Sequence, residues 1–185
     1  MSNELKEFVK KKEIIKLHLG CGGQKWEDFI NVDFYEYNDE IKDASRNGCV
    51  ADVYTDMRSL GLDDNTITEI FTSHTIEHFT RWETIDMLED WYRMLLPNGK
   101  IIIETPNFNR CLLWLLSFSS KKRKLAHDMF YGNQWDRLDY ETHRYVWRSK
   151  ELISELKKIG FRSVEFTKWT QTHYQIRDMR VSAIK

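Results

Sequence analysis

The chain has 185 residues, with 28 Lys and Arg against 29 Asp and Glu and a formal net charge of −1. Its hydrophobic fraction of 41% and aromatic fraction of 14% exclude a disordered polyelectrolyte and predict a single domain with a substantial core. Three cysteines, Cys21, Cys49 and Cys111, lack C-x-x-C spacing and predict neither a disulfide framework nor a zinc site. No apolar run approaches the length of a membrane span, and the charged stretch 1–12 lacks the apolar centre of a signal peptide, so a reducing cytoplasm is the expected location.

The stretch 1–12 reads as a mobile or helical lead-in. Ile14–Leu19 is predicted as the first buried strand and runs into the turn Gly20-Cys21-Gly22-Gly23. Glycines at such a turn tolerate positive φ and let a ligand approach the backbone. A turn or two of helix is expected around Gln24–Asp28, then a second strand at Phe29–Val32 that delivers Asp33. Residues 34–48 read as polar and irregular, and Cys49–Ala51 as a short third strand ending on Asp52. The fourth strand is predicted at Ile67–Thr72. A helix follows, opened by a Thr80–Glu83 capping box, carrying Ile85, Leu88, Trp91 or Tyr92, and Leu95, and stopped by Pro97 and Gly99. Lys100–Glu104 is expected as the fifth strand. Ser149 would cap a last helix with Leu152, Ile153, Leu156 and Ile159 on one face, and Arg162–Thr167 and Arg180–Ile184 would be the final strands. Alternating strands and helices predict a largely parallel sheet covered on both faces.

Residues 107–148 interrupt this rhythm. The apolar run Cys111–Leu116 precedes the basic run Lys121–Lys124. The segment is expected to be an insertion or cap on the acceptor side, a dimer contact being the other reading; a helix of this kind is also suited to a membrane surface.

The glycine turn followed by Asp33 reads as a nucleoside crevice, the carboxylate offering acceptors to a ribose diol. A dinucleotide fingerprint would need a sixth-position glycine, where Lys25 stands, and an acidic residue about 20 residues on. Asp33 arrives 13 residues after Gly20, and no phosphate-binding G-x-x-x-x-G-K-[ST] run is present. Nicotinamide chemistry is therefore disfavoured.

Leu17-His18-Leu19-Gly20-Cys21-Gly22-Gly23, Asn31-Val32-Asp33, Val50-Ala51-Asp52, Ser73-His74-Thr75-Ile76-Glu77-His78-Phe79 and Leu96-Pro97-Asn98-Gly99 occur in this order over roughly residues 14–106. In these motifs the chain resembles the class I S-adenosylmethionine-dependent methyltransferases, in the branch described as methyltransferase type 11. The resemblance implies a Rossmann-like α/β fold, a seven-stranded mostly parallel sheet with its last strand antiparallel, and S-adenosyl-L-methionine as cofactor. It also implies cofactor-binding roles for His18, Gly20, Cys21, Gly22, Asp33, Asp52, Ser73 and His74. Position 18 carries His where that family often has Asp or Glu. Asp52 would accept from the adenine amino group or cap its own loop.

For catalysis, His143 and His78 are the candidate bases, histidine titrating near neutral pH; either could instead anchor its loop. His74 and His78 stand four apart but lack the third ligand of an H-E-x-x-H motif, so no metal is expected. Trp135, Tyr140 and Arg144 supply aromatic and guanidinium groups suited to a sugar or an anion. Residues 1–106 hold 12 basic against 21 acidic residues and 107–185 hold 16 against 8, which would suit a cationic cofactor and an anionic acceptor, or be no more than segregated surface charge. The expected activity is O-methylation of a small or carbohydrate-like acceptor, the sugar resting on the resemblance, whose members often accompany polysaccharide synthesis. Methylation of RNA or DNA, or cofactor binding without catalysis, are the alternatives. The sequence does not fix an oligomeric state.

Overall fold

Short apolar segments with β-branched residues pair in the order expected of an α/β sheet in the computed structural model, which describes residues 3–10, 13–34, 49–132, 141–171 and 177–185. The expectation for 34–48 lies, apart from Phe34, outside the described residues. Strands β1 (Lys16–Leu19), β2 (Ile30–Asp33), β3 (Val53–Tyr54), β4 (Ile67–Ser73), β5 (Leu95–Pro106), β6 (Arg162–Thr167) and β7 (Asp178–Ile184) form one seven-stranded sheet. Its order is β3-β2-β1-β4-β5-β7-β6. The first five strands pair in parallel, and β7 lies antiparallel between β5 and β6. This is the Rossmann-like arrangement the sequence implies. Neighbours β1 and β4 mark the point where the strand order reverses, where open α/β sheets bind ligands at the carboxyl ends of their strands.

Helix α1 (Asn3–Lys10) is the charged lead-in, docked through Leu5 and Val9 into the core. Helix α2 (Arg81–Met94) begins with the expected capping box, Thr80 and Glu83 each satisfying a backbone N–H of the other. It buries Met87, Leu88, Trp91 and Met94 against the sheet. Helices α3 (Phe108–Leu115) and α4 (Ser120–Tyr131) pack together, and α5 (Ser149–Ile159) covers the other end of the sheet through Leu152 and Leu156.

Several boundaries differ from the expectation. Gln24–Asp28 is not a helix: Asn31 pins this loop, its side chain accepting from Trp26 N at 3.0 Å and donating to Trp26 O at 3.0 Å. The third strand starts at Val53, because Val53 is the first residue in register with β2, opposite Val32. Strand β5 begins at Leu95 instead of Lys100. The residue before a proline avoids helical ψ, and the chain is already extended at Leu95 (φ −63, ψ 140). Arg148, not Ser149, is the N-cap residue of α5, and no side chain caps it. Strand β7 starts at Asp178, ahead of the expected Arg180.

Candidate active site

The glycine turn is tied to the sheet by two backbone bonds, Gly20 N and Cys21 N both donating to Val32 O, at 2.9 and 3.2 Å. Gly20 (φ +71) and Gly22 (φ +49) hold left-handed conformations that disfavour a Cβ. They are not equivalent. A Cβ at Gly20 would collide with the Thr75 side chain, whereas one at Gly22 would meet nothing within 4 Å. Gly20 thus lets the segment after β4 pack on the turn, and Gly22 leaves the backbone open to the crevice.

Asp33 closes β2 beside this turn. Its Oδ2 accepts from Gly22 N at 2.7 Å and its Oδ1 from Phe34 N at 2.7 Å. A carboxylate has about four acceptor sites, so capacity for a diol remains. These residues fit the adenosine moiety of S-adenosylmethionine: an open glycine backbone next to a partly exposed carboxylate at the tip of the second strand.

Cys21 and Cys49 meet beside Asp33, the three bringing ligand atoms within 4.8 Å of one another, with Cys21 Sγ 3.7 Å from Gly22 O. The neighbouring Cys21 thiol, acting as donor, stabilises the Cys49 thiolate and brings its pKa down to about 7, while the same interaction and burial push Cys21 up. Burial pushes Cys111 up to about 12. Iodoacetamide at pH 7.5 is therefore expected to label Cys49 first, with half-maximal rate near pH 7, read by peptide mass spectrometry. A bound adenosyl ligand should slow that labelling. Equal labelling of all three thiols would refute the pairing.

The other residues expected at the cofactor have protein partners. His18 is 1% exposed and sits on the face of β1 opposite Leu17 and Leu19. Its ring packs on Trp26 (4.8 Å) and Phe71 (5.3 Å), with Nδ1 3.2 Å from Asn31 Oδ1. Strand alternation, which turns successive side chains to opposite faces, places it there. Asp52 accepts from Lys25 Nζ at 2.7 Å, Asn31 N at 2.9 Å and Asn31 Nδ2 at 2.8 Å. The loop-capping reading describes it. Burial would raise its pKa, but the Lys25 and Asn31 bonds hold it below the usual carboxylate range. Ser73 is buried, with Oγ 3.5 Å from Glu104 Oε2.

His74, at φ +52, has both ring nitrogens on carboxylates: Nδ1 lies 3.0 Å from Glu77 Oε1 and Nε2 2.9 Å from Asp178 Oδ2. Both carboxylates are fully buried. Burial alone would push the imidazole down; the charge of Glu77 and the bond to Asp178 outweigh it and lift His74 to about 9. The same pairing, against burial, holds Glu77 and Asp178 below the usual carboxylate range. Arg177 extends the chain, its Nε donating to Asp178 Oδ1 at 2.6 Å. Glu77, Arg177 and Asp178 were not foreseen. Glu77 stands three residues after His74 and could have been, but Asp178 is 104 residues away.

The two candidate bases come together. The rings of His78 and His143 meet edge to face with centroids 4.8 Å apart. His78 Nδ1 lies 3.3 Å from Thr142 O, and His143 Nδ1 lies 2.7 Å from Met129 O. A carbonyl only accepts, so each Nδ1 carries a proton, and the site for a lone pair on each ring is Nε2. Burial pushes the His78 pKa down, keeping it neutral at pH 7. With Glu77 they place three ligating groups within 4.8 Å, a set that helical spacing could not reveal. The loop bearing His143 is anchored to the same segment, Arg144 N and Tyr145 N both donating to Glu77 O, at 2.7 and 3.1 Å.

Beside that loop lies a cavity of about 260 Å³ walled by Phe108, Phe130, Arg144, Tyr145, Arg148 and Glu151. Arg148 lies over the Phe108 ring at 4.4 Å. Arg144 thus lines a pocket, while Trp135 and Tyr140 lie outside the described residues.

Residues 3–165 match the methyltransferase domain family, and the chain belongs to it. Its fold is that of the class I S-adenosylmethionine-dependent methyltransferases. A SAM-dependent methyltransferase of Archaeoglobus fulgidus is similar over 98% of this chain and 91% of its own, with TM-score 0.61 and 18% identity. A protein of Pyrococcus horikoshii matches over 99% and 92%, at TM-score 0.60 and 21% identity. An S-adenosylmethionine-dependent methyltransferase of Mesorhizobium loti matches over 97% and 96%, at TM-score 0.59 and 14% identity. Comparison with curated proteins yields no match. Among the described residues no helix is long and apolar enough to cross a membrane.

Proposed function

We propose that this chain uses S-adenosylmethionine to O-methylate a small, carbohydrate-like acceptor bearing negative charge. The observation that carries the acceptor class is the cavity that joins aromatic walls to Arg144 and Arg148, on the loop that also bears His143. Aromatic faces suit a sugar ring, and guanidinium groups suit a carboxylate or phosphate. Helices α3 and α4 contribute Phe108 and Phe130 to the same cavity, which supports reading residues 107–148 as a cap over the acceptor.

Methyl transfer from a sulfonium is a displacement with a good leaving group, so alignment and exclusion of water supply most of the acceleration. When bound, the cofactor supplies the electrophilic methyl group. The protein binds the adenosine moiety through Gly22 and Asp33. A hydroxyl acceptor also needs its proton removed, and the Nε2 lone pairs of His78 and His143 are groups that do so.

The test is a labelled-methyl screen over anionic sugars and nucleotide sugars, alongside calorimetric titration with S-adenosylhomocysteine. His143→Gln and His78→Gln should each lower turnover about 100-fold or more while leaving S-adenosylhomocysteine affinity unchanged. If His78 is the base, turnover rises with pH through a value below the usual histidine pKa of about 6.5. Normal turnover in both variants would reduce the pair to loop anchors, and transfer only to RNA or DNA would replace the acceptor class.

A further inference from the structure

We propose that the turn between α3 and α4 docks on an anionic lipid bilayer surface. Leu113, Leu116 and Phe118 are 68, 73 and 104% exposed, and Leu112 and Leu115 stand out beside them. Leu112 and Leu113 on α3 and Leu116 at its C-cap share one side at helical spacing, opposite the buried Cys111. The patch is therefore organised and lies apart from the domain core.

The basic run follows at once. Lys121, Lys122, Arg123 and Lys124 are all exposed at the start of α4, whose first turn carries no acidic residue. Cations at a helix N-terminus repel the positive end of its dipole, a repulsion that an external anion offsets. Arg123 also folds back, Nη1 donating to Ser117 O at 2.7 Å and Phe118 O at 2.9 Å, which holds the turn with Phe118 outward.

Exposure and charge select the occupant. The apolar groups stand out into solvent from the turn, and a fluid bilayer receives such groups without a preformed groove. A second copy of this chain would bring two basic runs together across the contact, which like charges oppose. Apolar side chains flanked by clustered cations match the chemistry of interfacial, anionic-lipid binding.

The experiment is vesicle flotation of the full chain with phosphatidylcholine alone and with phosphatidylcholine containing about one-third phosphatidylglycerol. Binding is expected only to the anionic vesicles, and it should fall at least tenfold between about 0.05 and 0.5 M salt. The surface variant Leu113→Ser/Leu116→Ser/Phe118→Ser and the separate variant Lys121→Glu/Lys122→Glu should each lose binding at least tenfold. Both should keep their circular dichroism and melting temperature, so that loss of binding is not loss of fold. No flotation with anionic vesicles at low salt would overturn the proposal, as would equal binding to both compositions. A dimer by analytical ultracentrifugation that the serine variant dissociates, without vesicle binding, would assign the face to self-association.

Discussion

His74→Gln should lower the unfolding free energy by about 3–5 kcal/mol at pH 6, the usual cost of leaving a buried charge without its partner. The side chains of Glu77 and Asp178 are both 0% exposed, and His74 bridges them. Glutamine can donate to one carboxylate but brings no charge. The pH dependence identifies the cause. An unfolded histidine titrates near 6.5, and folded His74 near 9. Its contribution is therefore complete below pH 6.5 and disappears as the pH rises toward 9. Glu77 and Asp178 have depressed values, so theirs is present above the ordinary carboxylate range and is lost on acidification. Urea unfolding of the parent should show greatest stability between about pH 5 and 6.5 and a decline up to pH 9. The variant should lack that alkaline decline. If it kept the full decline, His74 would not be its source.

Asp33→Ala should weaken S-adenosylhomocysteine binding by about 1.5–3 kcal/mol, or roughly 10- to 150-fold, the range for a hydrogen bond to a charged group. Part of that loss comes from the turn, because Asp33 also fixes Gly22 N. Asp33→Asn narrows the cause: its amide oxygen can still accept from Gly22 N, while the bond from Phe34 N and the charge on the diol are lost. The asparagine variant should fall between parent and alanine in calorimetric titration. A folded alanine variant with parental affinity would eliminate Asp33 from ribose binding.

The sheet and its glycine turn were legible because they rest on local rules. Apolar residues between turn signals mark β1, β2 and β4, and the Thr80–Glu83 pair marks the start of α2. Local rules fail where a side chain's role is set across the fold. His18 reads as a site residue from its place beside Gly20, yet alternation turns it into the aromatic cluster of Trp26 and Phe71. His74 reads as a cofactor contact, yet its Nε2 lies on Asp178, contributed by a strand at the other end of the chain. His78 and His143 could each be singled out as histidines near loops, but their meeting depends on the 141–148 segment folding back onto Glu77 O. Asp52 is the intermediate case, since its capping of Asn31 was one of the readings the sequence allowed.

The short link between β1 and β2 bears on how the molecule assembles. Parallel strands ordinarily need a crossover of a dozen or more residues, usually a helix; here Gly20–Phe29 suffices, with Trp26 laid over His18 and Phe71 where a helix would pack. Little chain entropy is lost in closing so small a loop. The nucleoside half can thus collapse early in refolding from one contiguous stretch. The His74–Asp178 contact must wait for β7 to insert between β5 and β6.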